Sequence, residues 1–469
     1  MTERTVSRRR FAPRACAVAI VAALGFAGAT TAHAEDLMGV YRQALQSDPV
    51  LKQAEAQSRI GEAGAAISRS VLLPQINGSV SYDYNHGVST GPQVFQEANG
   101  PVLENTSIAT GGRSRTEQVG LNQVLFDLGK FADWRASRAS ARAAEAQYTA
   151  AEQDLILRVA QAYFTVLSDE EQLKYNEANE KALQKQLDQA QAKYDVGFAA
   201  ITDVVDAKAQ HDTAVASVIN AKNQVFNDRQ ALAQITGQPA GALETLTDNL
   251  PLEPPQPDDM QAWVTTALAS NPSLQAQRDQ TEAAQHDVTA AYAGHLPTLN
   301  ASVGYSRTPT WGAVGVGPSG FPRFDSRSSG TTVGLVLTVP LFAGGGIHAR
   351  VKQAIAQRDQ TSDVLEQERR TVVSNTRSAF NAIEAGISSV QAQKAAVESA
   401  KTALDATQAG YQIGTRTIVD LLIAQQNYFQ AQSAYSQARH ALVVNRLNLD
   451  YAAGTLSVND LEAVNRLLQ

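Results

Sequence analysis

The chain has 469 residues, of which 18% are charged and 6% are aromatic, and its formal net charge is −7. A chain of this length has room for two ordinary domains, and its acidic balance makes it a poor nucleic-acid binder. Its single cysteine, Cys16, lies in the first 34 residues. The remainder of the chain therefore has neither a disulfide framework nor a thiolate metal site.

Residues 1–34 have the form of a secretory signal peptide. Arginines precede an almost wholly apolar run at 15–29, and Ala32-His33-Ala34 has the small-x-small form of a cleavage site. Cleavage would remove five Arg and one Glu, a net charge of +4, and leave the mature chain at −11. No later stretch is apolar for long enough to be a spanning helix. The sequence therefore predicts an exported protein of the periplasm, the cell surface or the outer membrane.

The mature chain is a tandem duplication with a period far above that of solenoid repeats. Three motifs recur in the same order. Ser47-Asp48-Pro49 recurs as Ser270-Asn271-Pro272 and Leu73-Pro74 as Leu296-Pro297, both at a shift of 223 residues, and the segment 194–203 recurs as 411–420 at a shift of 217. We assign a first structural repeat to residues 35–237 and a second to residues 261–469. The Pro-rich residues 238–260 form an equatorial connection between them, predicted to lie partway along the molecule.

Each repeat begins with a helix and continues into two strands. Residues 37–70 have a helical pattern, with Asp48-Pro49 as a helix start. Apolar and polar residues then alternate with a period of two, which predicts two strands in each repeat. The strands are at about 75–86 and 115–126 in the first repeat and at about 298–307 and 331–342 in the second. Loops at about 87–114 and 307–330, rich in Gly, Ser and Pro, are predicted to join these strands into two hairpins.

The alternation in the strands has two explanations of similar strength. Segments of about ten residues, apolar on one face and with aromatics near their ends, are typical of outer membrane β-barrels. Half-buried strands of a soluble sandwich would show the same pattern. Four strands do not close a barrel around a lumen, and lipid excludes open sheet edges. Strands in a membrane would therefore require several chains that each contribute four.

Two very long helices follow the strand pairs, from about Gly129 to Asp195 and from about Gly346 to Gly410. Neither contains Pro, and Ala, Gln, Glu, Lys and Leu dominate both. At 1.5 Å per residue, roughly 65 residues form a rod on the order of 100 Å long. A rod of this length needs lateral partners, and abundant Ala allows close helix–helix approach, so we expect a cylinder of packed helices.

Catalytic and metal-binding motifs are absent from the sequence. None of the seven His residues shows H-E-x-x-H or a similar ligand spacing. Gly344-Gly345-Gly346 follows a strand and opens a helix, as a phosphate cradle does, but the duplicated position holds Asp127-Leu128-Gly129-Lys130. A strand-to-helix turn explains both positions. We therefore predict that the chain is not an enzyme and uses no cofactor and no metal.

The segments 194–203 and 411–420 are predicted to be the tips of two helical hairpins. Gly197 and Gly414 suit a helix end, and an aspartate follows each glycine at the position of the next helix's first turn. Well-capped turns alone would account for either copy by itself. Two copies at one offset within a duplication favour a further role.

That further role depends on several chains forming a tube around one axis. Asp420 would then form a ring of carboxylates that attracts cations. Tyr411 and Arg416 would pair with a neighbouring carboxylate such as Asp203 and clasp two hairpins together. Breaking the clasp would let the hairpins separate, so the tips are candidates for a gate.

The mature chain resembles the TolC family of outer membrane efflux proteins over essentially its whole length. The segments that carry the resemblance are 35–41, 72–75, 294–299 and 414–420, and the last, Gly-Thr-Arg-Thr-Ile-Val-Asp, is the most specific. The resemblance implies an α+β membrane protein with a trimeric 12-stranded β-barrel, to which each chain gives four strands. A long α-helical barrel of coiled-coil hairpins would continue this barrel into the periplasm.

The resemblance implies a passive exit duct for tripartite efflux pumps, type I protein secretion systems or both, gated at the periplasmic helical tip. The implied partners are two further copies of the chain, a periplasmic adaptor protein, an inner-membrane transporter of the RND, ABC or MFS class, and outer membrane lipid. The implied clasp joins Tyr411 and Arg416 to Thr202 and Asp203, with Asp420 as the entrance carboxylate. The implied adaptor-docking residues are Val196, Gly197, Phe198, Ile413, Gly414 and Thr415.

The chain departs from the family pattern at one entrance position. The family carries a second aspartate three residues after the first, where this chain has Ile423, but the duplicated position of the first repeat holds Asp206. Asp206 is predicted to replace the missing carboxylate, so that Asp420 and Asp206 together keep the entrance acidic. Divalent cations are expected to block the duct at Asp420.

A rival explanation of another class is a surface adhesin or structural coiled coil, which would have no conducting lumen. Conductance across a bilayer distinguishes the two. A wide duct imposes little chemistry on its cargo, so the sequence predicts neither the exported substrates nor the preferred adaptor.

Overall fold

The computed structural model describes residues 34–247, 250–316 and 323–469. Residues 1–33 of the predicted signal peptide lie outside the described residues. The elements in chain order are α1 Leu37–Ser47, α2 Pro49–Ser70, β1 Gln75–Glu97, β2 Gly100–Phe126, α3 Leu128–Asp195, α4 Ile201–Thr236, α5 Met260–Ser270, α6 Pro272–Ala293, β3 Thr298–Val316, β4 Arg323–Thr338, α7 Gly346–Gln412, α8 Ile418–Ala453 and α9 Val458–Asn465. None of the helices in these ranges is apolar over a length that would span a membrane.

The two halves of the chain contain matching elements of nearly the same length. α1 and α5 have 11 residues each, α2 and α6 have 22 each, and α4 and α8 have 36 each, while α3 has 68 and α7 has 67. The helix starts match as well. The Asp48 side chain accepts a hydrogen bond from the Leu51 amide, and the Asn271 side chain accepts one from the Leu274 amide, with Pro next in each helix. The duplication therefore extends from the sequence to the caps of the helices.

The four strands form one antiparallel sheet in the order β1-β2-β3-β4. In the register, Ile76, Leu121, Val303 and Val333 form one row across the sheet. Further apolar side chains on the same face are exposed in the single chain: Val80, Tyr82, Tyr84, Val119, Tyr305, Leu335 and Leu337. The opposite face carries mainly Ser, Thr, Asn and Gly. This sheet has one face suited to lipid and one suited to water.

The prediction of loops at 87–114 and 307–330 is wrong. β1 continues to Glu97 and β2 begins at Gly100, so the first hairpin is paired almost to its end. β3 and β4 likewise enter the second predicted loop from both sides, and residues 317–322 lie outside the described residues. Pairing with the neighbouring strand outweighs the weak strand propensity of Gly, Ser and Pro, as in the hydroxyl contact between Thr90 and Ser107 at 3.0 Å.

β4 is also shorter at its other end than predicted. The period of two indicates a strand to residue 342, whereas β4 ends at Thr338. Pro340 lies just beyond this end, and proline has no N–H to donate to a ladder. The residues between β4 and α7 form the strand-to-helix turn that the sequence predicts at Gly344-Gly345-Gly346.

Two uninterrupted helices, α3 and α7, form the rods of the molecule. At 68 and 67 residues, each is about 100 Å long. α3 lies against α2, α4, α6 and α8, and α7 lies against α6 and α8. One face of the first half of α3 buries a stripe of alanines with helical spacing, Ala132, Ala136, Ala139 and Ala143. These small side chains allow the close helix packing that the composition predicts.

The largest hydrophobic cluster lies near the middle of α3. It combines α1, the centre of α3, the C-terminal part of α4, the C-terminal half of α8 and α9 around Leu155, Phe164 and Leu232. The Tyr163 hydroxyl donates hydrogen bonds of 3.0 Å to the carbonyls of both Glu35 and Glu244. The described residues of the Pro-rich connection therefore cross the rods partway along their length.

Candidate functional site

The first hairpin tip joins α3 to α4. The Gly197 amide donates to the Tyr194 carbonyl at 2.9 Å, and the Phe198 amide donates to the Lys193 carbonyl at 2.8 Å. Gly197 has φ +79°, in the left-handed region that favours glycine. Val196 and Phe198 on either side are 67% and 85% exposed. The tip is therefore a tight turn that presents two apolar side chains outward.

The second hairpin tip joins α7 to α8 and repeats this geometry. Gly414 has φ +81°, and its amide donates to the Tyr411 carbonyl at 3.2 Å. Ile413 is 77% exposed, as Val196 is at the matching position. α8 starts with a capping box, in which the Thr417 amide donates to Asp420 and the Asp420 amide donates to the Thr417 hydroxyl. This second tip is thus fixed at its helix start more firmly than the first, where Ala200 offers no side-chain cap.

The two tips of one chain pack against each other. Ile418 and Leu422 of α8 are buried with Leu183 and Ala190 of α3 and with Val204 of α4. This cluster lies within a few helical turns of both tips. It makes the two hairpins of one chain a single packed unit at the end of the rods.

Lys193 and Tyr411 make the polar contact between these two hairpins that lies next to the tips. Ser433 of α8 makes another with Gln172 of α3, further from the tips. The Lys193 ammonium lies 4.3 Å from the centre of the Tyr411 ring, in the geometry of a cation–π interaction. Tyr411 is among the site residues predicted from the sequence, whereas Lys193 is not. The only local signal is that Lys193 stands in the last turn of α3, where a basic side chain also suits the helix dipole.

Within one chain, the four predicted clasp residues are not joined to one another. Across the described part of the chain, neither Tyr411 nor Arg416 makes a hydrogen bond or an ion pair with Thr202 or Asp203. Arg416 and Thr202 are exposed, and Asp203 is half-buried in the first turn of α4. Their side chains are therefore accessible to a neighbouring molecule.

Asp420 is held in its ionised form. Hydrogen bonds from the Thr417 amide and hydroxyl, and then the charge of Arg416, lower the pKa of the Asp420 carboxyl. Arg416 and Asp420 line one groove on the second hairpin, together with Ile423. A carboxylate at this place carries its charge throughout the physiological pH range.

Asp206 lies one turn beyond Asp203 on α4 and is exposed. Ile423 occupies the corresponding place on α8 and is also exposed. Asp206 makes no hydrogen bond or ion pair with the residues that the structure describes. The structure thus places an exposed carboxylate on one hairpin and an exposed apolar side chain at the equivalent place on the other. Within residues 34–247, 250–316 and 323–469, no group of His, Cys, Asp and Glu has the arrangement of a metal site.

Comparison with known proteins identifies the family. The model of the family described as outer membrane efflux protein matches residues 40–238 and 263–455. The chain belongs to this family. Its relatives include outer membrane protein TolC of Escherichia coli (strain K12), 38% identical over 441 residues that cover 93% of this chain and 85% of TolC.

Two further comparisons agree with this family and with its fold. The alkaline protease secretion protein AprF of Pseudomonas aeruginosa is 27% identical over 437 residues, covering 92% of this chain and 87% of AprF. The structure of the Campylobacter jejuni CmeC outer membrane channel superposes with a TM-score of 0.71 at 20% identity, covering 93% of this chain and 90% of CmeC. The predicted family resemblance, fold class and outer membrane location are confirmed.

Proposed function

We propose that the protein is a passive exit duct of the outer membrane. The observation that carries the proposal is the four-stranded sheet, whose apolar face is exposed and whose edge strands β1 and β4 have no partner strand among the described residues. Water disfavours the exposed apolar face, and lipid excludes the open edges of an isolated sheet. Three chains would close the sheets into one barrel, and their rods would continue its lumen for about 100 Å into the periplasm.

The experiment is single-channel conductance of the purified mature protein in a planar bilayer. A steady conductance from folded trimers supports a duct. Folded trimers without conductance would contradict it and favour the adhesin or coiled-coil explanation. Mass spectrometry of the mature N-terminus tests the proposed signal peptide in the same preparation, since cleavage after Ala34 leaves Glu35 first.

The gate that we propose lies at the hairpin tips. Lys193 and Tyr411 hold the two hairpins of one chain together. Arg416 of one chain would pair with Thr202 and Asp203 of the next, since these side chains are accessible and have complementary hydrogen-bonding groups. A Tyr411→Ala/Arg416→Ser variant, which removes both the ring that Lys193 contacts and the Arg416 guanidinium, is expected to raise a small wild-type conductance several-fold. An unchanged conductance would keep the duct and discard this gate.

We propose that Asp420 and Asp206 form two acidic rings at the entrance. Both carboxylates are accessible at the end of the rods, and rings of carboxylates favour cations. Asp206→Asn is expected to lower the cation selectivity of the channel and to weaken block by divalent cations. Asp405→Asn, which removes an exposed charge from α7, is the matched control. Selectivity and block equal to wild type in Asp206→Asn would refute the second ring.

The exposed apolar tips are proposed to dock a periplasmic adaptor protein. Val196, Phe198 and Ile413 are 67%, 85% and 77% exposed, more than apolar side chains of this size normally are. A passive duct, as proposed, would take its energy from a partner. An adaptor would couple it to an inner-membrane transporter of the RND, ABC or MFS class. Because relatives include both TolC and the secretion protein AprF, the proposal covers efflux and protein secretion.

One double variant tests adaptor docking separately from conduction. Phe198→Asp/Ile413→Asp is expected to abolish pull-down of the adaptor encoded by the same bacterium while single-channel conductance persists. Retained pull-down would refute docking at these tips. Val196, Gly197, Gly414 and Thr415 complete the proposed docking surface.

A further inference from the structure

The arginines of the sheet are confined to one face. Register places Arg113 and Arg115 of β2 with Tyr84 and Tyr82 of β1, on the face that carries the apolar rows. Arg307 of β3 and Arg327 of β4 lie on this same face. The opposite face, at the same level, carries Ser, Thr, Gly, Asn and Asp83. We call the four residues Arg113, Arg115, Arg307 and Arg327 the arginine belt; a fifth arginine of the sheet, Arg323, stands at the start of β4, four residues beyond Arg327, and is not counted in it.

The arginine belt lies at the outer edge of the apolar band. All four strands meet the helices at one end, near Gln75 and Thr338, so the turn between β1 and β2 marks the far, extracellular end. Arg327 stands ten residues from Leu337 along β4, or about 33 Å at ~3.3 Å per residue. A strand tilt of about 40° reduces this to about 25 Å, the height of the lipid-facing band of an outer membrane barrel.

Aromatic side chains accompany the arginine belt. Tyr84, Arg113, Trp311 and Asp325 form one row across the sheet. Tyr82, Tyr84 and Trp311 are exposed in the single chain. Aromatic side chains gather where hydrocarbon meets headgroups, so the arginine belt stands at headgroup level on the outer leaflet.

The arginine belt has more positive charge than its own carboxylates neutralise. Glu117 pairs with Arg115 at 2.6 Å and lies 3.9 Å from Arg307. Arg113 lies 6.0 Å from the centre of the Tyr84 ring. Neither Arg113 nor Arg327 has a carboxylate within ion-pair distance in the portion of the chain described. The carboxylates next to the belt on this face are Glu117 and Asp325, so the four belt arginines leave each chain with an uncompensated +2 at this level.

We propose that the arginine belt binds the phosphate groups of lipopolysaccharide in the outer leaflet. Guanidinium groups bind phosphate with two parallel hydrogen bonds, and the apolar rows below would contact the acyl chains of the same lipid. Arg115 and Arg327 are separated by two strand spacings, about 10 Å, which their long side chains can bridge around one headgroup. The inference rests on the membrane position of the sheet and not on conduction or gating.

Charge complementarity favours this occupant over the other lipids of the membrane. A zwitterionic phospholipid brings an ammonium group next to its phosphate, and the belt offers only two acids to receive it. Lipid A carries two phosphates and no ammonium group, so it matches the uncompensated charge of the belt. An arginine that only extended its head to water would show no preference among these lipids.

The test is native mass spectrometry of the detergent-solubilised full protein with bisphosphorylated lipid A, phosphatidylglycerol or inorganic phosphate as the probe. The variant Arg113→Gln/Arg327→Gln is expected to bind lipid A about tenfold more weakly than wild type, since two charge-assisted contacts are lost. The variant Arg113→Lys/Arg327→Lys should bind with intermediate affinity. The matched control is Arg59→Gln/Arg69→Gln, which removes two exposed arginines from α2 and should bind as wild type does.

The proposal is overturned if Arg113→Gln/Arg327→Gln binds lipid A as tightly as wild type does, or if the α2 control loses as much lipid A affinity as that variant. It is also overturned if phosphatidylglycerol binds as tightly as lipid A, or if millimolar inorganic phosphate displaces lipid A. Circular dichroism and the trimer band in native gels show whether each variant is folded. Single-channel conductance should be the same in all of them, so a failed duct and a failed lipid site give different results.

Discussion

Removal of the Lys193 charge is the sharpest perturbation of the proposed gate. Lys193→Gln keeps the helix propensity and most of the side-chain length but loses the cation that lies 4.3 Å from the Tyr411 ring centre. An exposed cation–π contact contributes about 0.5–1 kcal/mol. Three equivalent contacts in a trimer would contribute about 1.5–3 kcal/mol to the closed state. Because each 1.4 kcal/mol is a factor of ten, the ratio of open to closed states should rise about ten- to hundredfold.

The assay is open probability and conductance of single trimers in planar bilayers. Lys193→Arg keeps a cation over the ring and should resemble wild type. Lys185→Gln is the matched control, since Lys185 is exposed on the same helix and has no ring or carboxylate contact with the described residues. If Lys193→Gln has the same open probability and conductance as wild type and Lys185→Gln, the contact between Lys193 and Tyr411 does not hold the gate closed.

Further predictions concern stability, measured as thermal unfolding of the detergent-solubilised trimer. Arg158→Ala should lower the free energy of unfolding by about 3 kcal/mol. The reason is that Asp48, whose side chain is 3% exposed, loses its 2.9 Å ion pair with Arg158. Asp48→Asn in addition should restore part of the loss. Burial raises the pKa of Asp450 to about 7, so its ionisation destabilises the fold as pH rises from about 4 to 7. Asp450→Asn should therefore raise Tm at pH 8 and change it little at pH 4, and an equal rise at both would contradict this. Gly454→Ala should lower the stability more than Gly197→Ala does. Both glycines have a positive φ, +74° at Gly454 and +79° at Gly197, but only at Gly454 would an added Cβ meet backbone atoms, at 2.5 Å.

Local patterns predict the helices and the centres of the strands well. Asp48-Pro49 marks a helix start by cap chemistry alone, and the structure has α2 start at Pro49. The period of two at 75–86 likewise reflects one wet and one apolar face. The ends of β1 and β2 follow instead from pairing between strands, as between Val88 and Ala109. The residues of one strand segment alone do not indicate which segment it will pair with.

The tips show the same division between local and distant causes. The capping box of Thr417 and Asp420 is a three-residue pattern, so the sequence contains what is needed to predict it. The contact between Lys193 and Tyr411 joins residues on different hairpins, and it depends on how α8 packs against α3 and α4. Nothing in the segment around Lys193 indicates a distant aromatic ring.

The capping box gives the two proposed entrance carboxylates unequal freedom to vary. Asp420 accepts hydrogen bonds at the start of α8, so a substitution there alters both the charge at this tip and the cap of a 36-residue helix. Asp206 makes no capping hydrogen bond with the described residues, and its replacement changes the charge alone. Natural selection for a new cargo would therefore act more readily on position 206, with position 420 constrained by the helix that it begins.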